Sequence, residues 1–291
     1  MLLADTSLKG VFYLGRGNTG LIYSIDAGPD PFVSWDGGES WAPGLTGFFK
    51  PESEIHGSVT DISFSTYDYR IALATIGTFG CKISFERCIS ESGYGVIRST
   101  DRGVSWSRTD LTDAHVIDMK IVNETMVYAV AYPDLIYRSE DAGQTWEVIA
   151  RDILPEIAMD PGSDPDMIKG YSIRSIAVDP FDSQRLLVGF LDGGVKLSID
   201  GGQTWETVAA GLLPELLADV LVADPAHQGV FYLGSGNLGI FYSIDAGLSW
   251  TMLNNGLTNR YVTDLALSED GSVLYMATDG GGVFQLGYEG N

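Results

Sequence analysis

The stretch Ser198-Ile199-Asp200-Gly201-Gly202-Gln203-Thr204-Trp205 decides the fold of this chain. The pattern Ser-x-Asp-x-Gly-x-(Ser/Thr)-Trp recurs without gaps four more times, at residues 34–41, 99–106, 139–146 and 243–250. Self-similarity of this kind is the sequence signature of a repeat architecture, in which each repeat is one supersecondary unit. We therefore interpret the five stretches as copies of one structural element.

Each copy lies between a short apolar run and a further segment that starts at Trp, which predicts a β-hairpin. The Asp carboxylate can accept hydrogen bonds from backbone N–H groups of its own turn, and Gly adopts positive φ without steric cost. The Trp ring is expected to pack between neighbouring sheets and to anchor stability. These interpretations assign a structural role to Asp36, Asp101, Asp141, Asp200, Asp245, Trp41, Trp106, Trp146, Trp205 and Trp250.

The repeated pattern is that of the Asp-box, also called the BNR repeat. Because of this repeated pattern, the chain resembles Asp-box β-propellers such as the sialidase, sortilin, xyloglucanase and photosystem-assembly-factor families. The resemblance covers nearly the whole chain. It implies an all-β fold, a single β-propeller of six visible four-stranded blades with room for a seventh. It also implies that each Asp-box is the hairpin between the third and fourth strands of a blade.

Internal alignment sets the length of one blade, because residues 10–15 and 229–234 both read Gly-Val-Phe-Tyr-Leu-Gly. It predicts one domain over residues 1–291, with blades at about 1–45, 58–111, 114–149, 172–212, 218–257 and 260–287. The last of these has no Asp-box and no outer strand. Either it keeps three strands, or further residues or a partner strand complete it.

The composition excludes some classes of partner. A formal net charge of −22 argues against nucleic acid and anionic membranes, because phosphate binding needs clustered Lys and Arg. No run of 18 apolar residues occurs, so no membrane span is expected. The first residues lack the charged and apolar regions of a signal peptide. An extracytoplasmic location is nevertheless favoured.

Metal sites and disulfides have little support in the sequence. Cys81 and Cys88 could form a disulfide in an oxidising compartment or remain free thiols. The three histidines have no paired spacing, which argues against zinc. The acidic segment Asp160-Pro161-Gly162-Ser163-Asp164-Pro165-Asp166 is a candidate calcium loop, since Ca²⁺ prefers several oxygens, but it equally suits a solvated loop. No cofactor is expected otherwise.

Binding residues are expected on the face opposite the Asp-boxes, where second strands turn into third strands and blades connect. Aromatic rings and carboxylates are frequent in these loops, and sugar sites use both. The candidate ligand-binding residues are Asn18, Phe48, Phe49, His56, Tyr94, Tyr132 and Asn237.

Four carboxylates on the same face are candidates for a catalytic acid and base: Glu54, Asp134, Asp192 and Asp279. The stretches Leu191-Asp192-Gly193-Gly194 and Thr278-Asp279-Gly280-Gly281 look like the Thr-Asp-x-Gly-Gly stretch that carries a catalytic Asp in xyloglucanase-type glycoside hydrolases. Only Asp279 keeps the preceding Thr. The alternative interpretation is a plain Asp-Gly-Gly turn between strands.

Other chemistries fit less well. Sialidases need an Arg triad with an Arg-Ile-Pro element, and no Arg-Ile-Pro occurs here. His56, His115 and His227 lie in unrelated repeats, which argues against a Ser-His-Asp triad.

Three functional hypotheses follow. The preferred one is a non-catalytic recognition or scaffold propeller that binds a glycan or a protein segment on the loop-rich face. The second is a glycoside hydrolase of the xyloglucanase type. The third is an assembly factor, although the acidic, Arg-poor surface argues against the basic patch associated with that family. The sequence makes no prediction of oligomeric state.

Overall fold

The computed structural model is built from β-strands throughout its described residues. It describes the backbone of residues 2–4, 12–14, 32–34 and 42–43, together with residues 40, 58–77, 93–154, 172–191, 193–213, 216–268 and 270–287. No helix in these residues is long and apolar enough to cross a membrane.

The strands form successive antiparallel sheets, each made of strands that are consecutive in the sequence. Five sheets have four strands. They are β1–β4 (Leu2–Ala4, Phe12–Leu14, Phe32–Ser34, Ala42–Pro43), β5–β8 (Ser58–Phe64, Ala72–Gly77, Gly93–Ser99, Ser107–Arg108), β9–β12 (Val116–Ile121, Val127–Ala131, Leu135–Ser139, Glu147–Ala150), β13–β16 (Ile173–Asp179, Asp182–Phe190, Gly194–Ser198, Glu206–Val208) and β17–β20 (Ala218–Ala223, Phe231–Ser235, Gly239–Ser243, Thr251–Met252). A sixth sheet has three strands, β21–β23 (Val262–Leu267, Val273–Thr278, Gly282–Gly287).

The predicted count of six or seven four-stranded blades was wrong, because five sheets have four strands in the described part of the chain. The sequence shows why the sixth sheet differs. Leu286 pairs with Leu274 in the same register in which Ser243, the first residue of an Asp-box, pairs with Phe231. A leucine offers no hydroxyl for the first position of an Asp-box, so the box pattern of the other sheets is not repeated at this position.

Contacts divide the chain into two compact units, one of Met1–Ala131 with Tyr137–Glu147 and the other of Tyr132–Ile136 with Val148–Asn291. The division passes through the third sheet. The second unit contains the complete fourth, fifth and sixth sheets, and the functional site below lies within it.

The core of the second unit lies between successive sheets. Leu187 and Val195 of the fourth sheet pack with Phe231 and Phe241 of the fifth. Tyr232, on the other face of the fifth sheet, packs with residues of the sixth sheet, which include Val262, Leu265, Leu274 and Met276. Alternate residues of one strand thus serve two different interfaces, as the period of two in a strand requires.

Each of the four Asp-boxes with described side chains connects the third strand of its sheet to the fourth. The Ser hydroxyl donates to the Asp carboxylate at 2.8 Å and accepts the N–H of the box Gly at 2.8–2.9 Å. The same carboxylate accepts the N–H of the following Ser or Thr at 2.8–2.9 Å and its hydroxyl at 2.5–2.7 Å. One carboxylate therefore satisfies most of the polar groups of the turn.

These hydrogen bonds favour the ionised carboxylate. In Asp200 the hydroxyl and then the N–H of Thr204 are the main causes that lower the pKa to about 2. In Asp101, burial alone would raise the pKa, but hydrogen bonds from Ser105 and Ser99 outweigh it and lower the pKa. The boxes are thus electrostatically matched to a charged Asp.

The box glycine is required by both backbone conformation and packing. Gly247 has φ +86°, and a Cβ there would lie 2.8 Å from Leu187 Cδ2 of the preceding sheet. Gly143 has φ +84°, and a Cβ there would lie 2.6 Å from Leu73 Cδ2. The box therefore fixes the turn and also the distance to the neighbouring sheet.

An arginine of the preceding sheet caps the box in two places. Arg98 Nε donates to the carbonyl oxygen of Ala142 at 2.8 Å, and Arg185 donates to that of Ala246 at 3.2 Å. Both alanines have positive φ, so the carbonyl is presented to the side of the turn. The repeated contact joins consecutive sheets within each unit.

The hydrogen bonding of the indole N–H group distinguishes the box of Trp250 from the other three described boxes. Trp106, Trp146 and Trp205 each donate to the carbonyl of their own box Gly at 2.9–3.0 Å. Trp250 is more deeply buried than Trp205, at 4% exposed, and its Nε1 has no acceptor among the described residues. A buried donor without an acceptor is destabilising.

We therefore predict that Trp250→Phe is less costly than Trp205→Phe. Trp205→Phe loses a hydrogen bond worth about 1 kcal/mol, in addition to the packing that the smaller ring gives up. Trp250→Phe leaves a small cavity, at a cost of about 1 kcal/mol. It also removes a buried unpaired N–H group, and the free energy gained by removing that group offsets about 1 kcal/mol of the cavity cost. Urea unfolding of the two variants beside the parent measures both costs. A larger loss for Trp250→Phe would contradict the prediction.

A second prediction concerns acid. Because the pKa of Asp200 is lowered to about 2 in the folded chain and is about 3.9 when unfolded, its contribution to stability is complete above pH about 4 and is lost as the pH falls toward 2. Asp200→Asn should thus destabilise at pH 5, keep part of this effect at pH 3 and converge with the parent only as the pH falls to about 2. Urea unfolding at several pH values tests this. Thr204→Val removes one of the hydrogen bonds to Asp200 and should give part of the same pH-dependent loss of stability. A difference between Asp200→Asn and the parent that does not change with pH would refute the prediction.

Candidate functional site

The candidate site lies at the end of the sheets where second strands turn into third strands. In the second unit this loop end includes the turns between β14 and β15, between β18 and β19 and between β22 and β23, and the starts of β13, β17 and β21. Leu191 N–H donates to the carbonyl of Ser172, and Asp279 N–H donates to that of Tyr261, both at 2.9 Å. Each turn is thus joined by its backbone to the start of the inner strand of its own sheet.

The opposite end carries the Asp-boxes. Gly201 N–H donates to the carbonyl of Gln184, and Ala246 N–H donates to that of Gly229, each at 2.9 Å. Both acceptors lie on the first hairpin of the same sheet or at its border. At the box end, the Asp-box is thus joined by its backbone to the first hairpin of its own sheet.

A β-bulge occurs near the start of the inner strand in each of the five sheets from the second to the sixth. The register shifts there between the first strand and the second. The extra residues are Thr60, Ile117, Arg174, Asp219 and Thr263. Bulges re-aim a side chain and are frequent beside functional sites.

Two of these bulged residues form an ion pair between neighbouring sheets. Arg174 Nε lies 3.3 Å from Asp219 Oδ1. Asp219 Oδ2 accepts the N–H of Gly236 at 2.8 Å, which ties the pair to the turn between β18 and β19. A Cβ on Gly236 would lie 2.4 Å from that oxygen, so the close approach requires glycine. The Asp219 carboxylate thus links the start of β13 to the turn between β18 and β19.

A second cluster joins the start of β21 to the turn between β22 and β23. The side chain of Asn259 accepts the N–H of Tyr261 at 2.9 Å and donates to the carbonyl of Asp279 at 2.6 Å. Thr278 Oγ1 donates to the carbonyl of Gly282 at 3.0 Å and closes the turn. The backbone is fixed, while the Tyr261 ring remains 60% exposed and Asp279 is exposed beside it. An exposed tyrosine and an exposed aspartate therefore lie on two segments whose backbones are hydrogen-bonded to each other.

Asp134 has a different environment. It is buried, and its carboxylate accepts backbone N–H groups of Asp152 and Ile153. Burial is the main cause that raises the pKa of Asp134, and the nearby charge of Asp152 raises it further. The neighbouring Pro133 accepts the N–H of Ile173 at 2.9 Å. Asp134 thus holds the segment after β12 and also has the raised pKa expected of a proton donor.

The remaining described candidates have local roles. Asn237 is exposed and accepts the hydroxyl of buried Ser235 at 2.7 Å within the turn between β18 and β19. Tyr132 is half-buried beside Pro133 and Asp134. Asp134, Asn237 and Asp279 all lie at the loop end of the second unit, but no hydrogen bond or ion pair joins one to another.

Several predicted residues lie outside the described part of the chain. They are Asn18, Asp36, Trp41, Phe48, Phe49, Glu54, His56, Cys81, Cys88, Asp192 and the segment 160–166, and of Tyr94 only the backbone is described, within β7. Their assigned roles remain predictions.

Sequence reasoning missed Arg174, Asp219 and Tyr261. A signal for the first two exists, since Ile173-Arg174-Ser175 and Ala218-Asp219-Val220 occupy equivalent positions of successive repeats and carry opposite charges. For Tyr261 the sequence gives no such signal, because exposure depends on how the chain enters β21.

One cleft of the second unit lies beside an Asp-box. This cleft of about 280 Å³ lies beside the Asp-box of the fourth sheet and next to the segment that Asp134 holds; it is lined by Val148, Ile149, Ala150, Arg151, Ile153, Gln203 and Trp205. Among the described residues, no group of three or more His, Cys, Asp or Glu side chains is placed to bind a metal ion.

The fold is shared with solved β-propeller proteins. The GH74 xyloglucanase from Xanthomonas campestris superposes with a TM-score of 0.66 at 15% identity, covering 98% of this chain and 44% of that protein. An ancestral GH74 enzyme gives a TM-score of 0.52 at 20% identity, covering 76% of this chain and 27% of that enzyme. YCF48 from Cyanidioschyzon merolae gives 0.49 at 16% identity over 99% of this chain and 95% of that chain, too loose a superposition to support an argument.

These similarities confirm an all-β propeller fold. The chain spans less than half the length of either GH74 protein, and identities of 20% or less show the fold alone. No protein-family model and no curated protein matches the sequence.

The ion pair at the loop end gives a prediction. Arg174→Ala removes a partly exposed pair and should cost about 0.2–1 kcal/mol. Asp219→Ala also leaves the N–H of Gly236 without its acceptor and should cost about 1–3 kcal/mol. Urea unfolding of the two single variants and the double variant measures these values and their coupling. Equal costs for the two single variants would show that the Gly236 contact is energetically neutral.

Proposed function

We propose that this chain is a non-catalytic recognition propeller that binds a neutral glycan at the loop end of its second unit. The observation that carries the proposal is the cluster of Asn259, Tyr261 and Asp279. It combines an exposed aromatic ring, an exposed carboxylate and a backbone fixed by three hydrogen bonds. A ring of this kind can stack on a sugar face while the carboxylate accepts hydroxyl groups.

The cluster is pre-organised and open to a ligand. Gly280 and Gly282 have φ of +74° and +79°, and a Cβ on either would meet no atom within 4 Å. A ligand can therefore approach the backbone of this turn closely. Because the backbone is already ordered, little conformational entropy remains to be lost on binding.

Charge narrows the ligand class. With a net charge of −22, the chain repels polyanions, and the exposed Asp279 would repel an acidic sugar locally. Neutral hydroxyl-rich chains avoid this cost. A peptide with donor groups would meet the same requirements and is a distinct outcome of the experiment.

The carboxylates favour binding over catalysis. A glycosidase needs two carboxyl groups that face the same scissile bond. Asp134 is buried and its oxygens are occupied by the amides of Asp152 and Ile153, whereas Asp279 is exposed in a turn. The environment of Asp134 suits a structural role, and the exposure of Asp279 suits ligand recognition.

A glycoside hydrolase is the second candidate, and two observations favour it. The pKa of Asp134 is raised, mainly by burial, as a general acid requires. Asp279 lies in the stretch Thr278-Asp279-Gly280-Gly281, which resembles the xyloglucanase pattern. The structurally similar Xanthomonas campestris protein is a xyloglucanase.

The test is binding to an array of neutral oligosaccharides, including xyloglucan fragments, followed by reducing-sugar release on each ligand that binds. We expect saturable binding. Tyr261→Ala should weaken the affinity about tenfold or more, because the sugar can no longer stack on the ring or bury its apolar surface. Tyr275→Ala is the matched control, because Tyr275 is also an exposed tyrosine but lies within β22, away from the loop end. Its binding should equal that of the parent.

The outcomes separate the hypotheses. Binding without sugar release, lost in Tyr261→Ala, supports recognition. Release that disappears in Asp134→Asn or Asp279→Asn, with melting temperatures maintained, would replace the proposal by the hydrolase. No binding to any glycan, or equal loss in Tyr275→Ala, would overturn the glycan assignment.

A further inference from the structure

Three polar side chains at the loop end of the second unit lie on consecutive inner strands and are not used by the cluster around Tyr261. They are the bulged residues Arg174 of β13, Asp219 of β17 and Thr263 of β21. The side chains of Arg174 and Asp219 are 42% and 17% exposed, and Thr263 is exposed. Because each is the extra residue of its bulge, the three occupy equivalent positions in successive sheets.

The inner strands of this unit meet in the same way at both boundaries between sheets. At each boundary, a glycine of a second strand leaves room for the residue after one bulge and the residue before the next. A Cβ on this glycine would lie 2.5–2.9 Å from atoms of both residues. Each glycine and its two neighbours are Gly189 with Ser175 and Ala218, and Gly234 with Val220 and Val262. The contact between the fourth and fifth sheets is therefore repeated between the fifth and sixth.

The repeated contact places the three bulged residues in a row. Between the fourth and fifth sheets it brings Arg174 Nε to 3.3 Å from Asp219 Oδ1. The same relation places Asp219 beside Thr263 at the next boundary. Tyr261 and Thr263 are both exposed and flank buried Val262, so they lie on the same side of the chain. The row therefore runs from Arg174 over Asp219 and Thr263 to Tyr261.

Arg174 is oriented by the fold but keeps most of its hydrogen-bonding capacity. A guanidinium carries five N–H donors. The Nε donor contacts Asp219, and the Nη groups have no acceptor among the residues that the structure describes. Asp219 is in turn fixed by the N–H of Gly236 at 2.8 Å. The guanidinium is thus held in place with its Nη donors available to a ligand.

The charges of this row favour a neutral ligand. The carboxylate of Asp219 offsets the positive charge of Arg174, while the chain as a whole carries a net charge of −22. An acidic ligand gains little from an arginine that is already paired and is repelled by the rest of the chain. Sugar hydroxyl groups, in contrast, can accept from the Nη groups and can bond to the Thr263 hydroxyl in either direction. The row therefore suits the same ligand class as the site at Tyr261.

The length of the row determines the size of the ligand. Packed sheets lie about 10 Å apart, and the row crosses two boundaries between sheets. A single sugar that stacks on Tyr261 therefore does not reach Arg174. A ligand that uses both ends of the row must be a chain of several sugars.

We propose that the glycan site at Tyr261 extends along this row, with Arg174 as a second subsite for an extended neutral oligosaccharide. One sugar stacks on Tyr261, and a sugar further along the same chain accepts hydrogen bonds from the Nη groups of Arg174. The hydroxyl of Thr263 binds the chain between them. This second subsite rests on the glycan recognition proposed above, and it adds a requirement for chain length.

Isothermal titration calorimetry of the whole chain with cellobiose and cellohexaose measures this requirement. The two sugars are neutral and unbranched and differ in length alone. We expect cellohexaose to bind about tenfold more tightly than cellobiose or better, because only the longer sugar reaches Arg174. Tyr261→Ala should weaken the binding of both sugars.

Arg174→Ala should weaken the binding of cellohexaose about tenfold and leave that of cellobiose unchanged. The matched control is Arg138→Ala, which removes the same charge. Arg138 also pairs with a carboxylate, that of Glu147, but lies in β11 beside the Asp-box of the third sheet. Its removal should leave both affinities equal to those of the parent. Thermal melting verifies that each variant folds.

Thr263→Val separates ligand binding from structural support, since valine keeps the β-branched shape and lacks the hydroxyl. It should weaken the binding of cellohexaose about fivefold, as expected for one hydrogen bond. The melting temperature should not change, because Thr263 is exposed. A purely structural role of the row would instead lower the melting temperature and leave the ratio of the two affinities as it is in the parent.

The outcomes separate this subsite from the glycan assignment itself. Equal affinities of the parent for the two sugars, or unchanged binding of cellohexaose in Arg174→Ala, would overturn the second subsite while binding that depends on Tyr261 remains. An equal loss for both sugars in Arg174→Ala would also overturn it, because such a loss does not depend on length. If the parent binds neither sugar, the subsite is overturned as well, and the oligosaccharide array alone then decides the glycan assignment.

Discussion

The structure depends on one repeated interaction, the hydrogen bonding of an Asp carboxylate within its own hairpin. In each described box this carboxylate accepts a Ser hydroxyl, a backbone N–H and a second hydroxyl. It sets the turn between the third and fourth strands and positions the Trp that starts the fourth. Because charged hydrogen bonds are the stronger kind, the ionised Asp specifies the turn more firmly than a neutral residue would.

The local turn has consequences beyond its own sheet. The box Gly leaves room for a leucine of the preceding sheet, and the carbonyl beside it accepts an arginine from that sheet. Turn geometry and packing between sheets are therefore linked at the same few residues. This link explains why the pattern is repeated without gaps, since a change at the turn would also change the spacing of the sheets.

Concentrating the structural work at the box end leaves the loop end free for other chemistry. There the inner strands bulge, and the extra residues Arg174 and Asp219 meet across two sheets. Asn259 fixes the backbone near Tyr261 without covering its ring. The loop end thus combines rigid backbone with exposed side chains, the combination that recognition requires.

The sequence by itself determined the all-β propeller fold and the repeat that builds it, because the box pattern is local and its bonds form within eight residues. It also placed Asp134, Asn237 and Asp279 in turns at one end of their sheets. It overestimated the number of four-stranded sheets, since the sixth sheet has three strands in the described part of the chain. Only the tertiary structure decided that Asp134 is buried, that Arg174 pairs with Asp219 and that Tyr261 is exposed. Those properties depend on bulges and on contacts between residues far apart in sequence, such as the 45 residues between Arg174 and Asp219, and no local pattern specifies them.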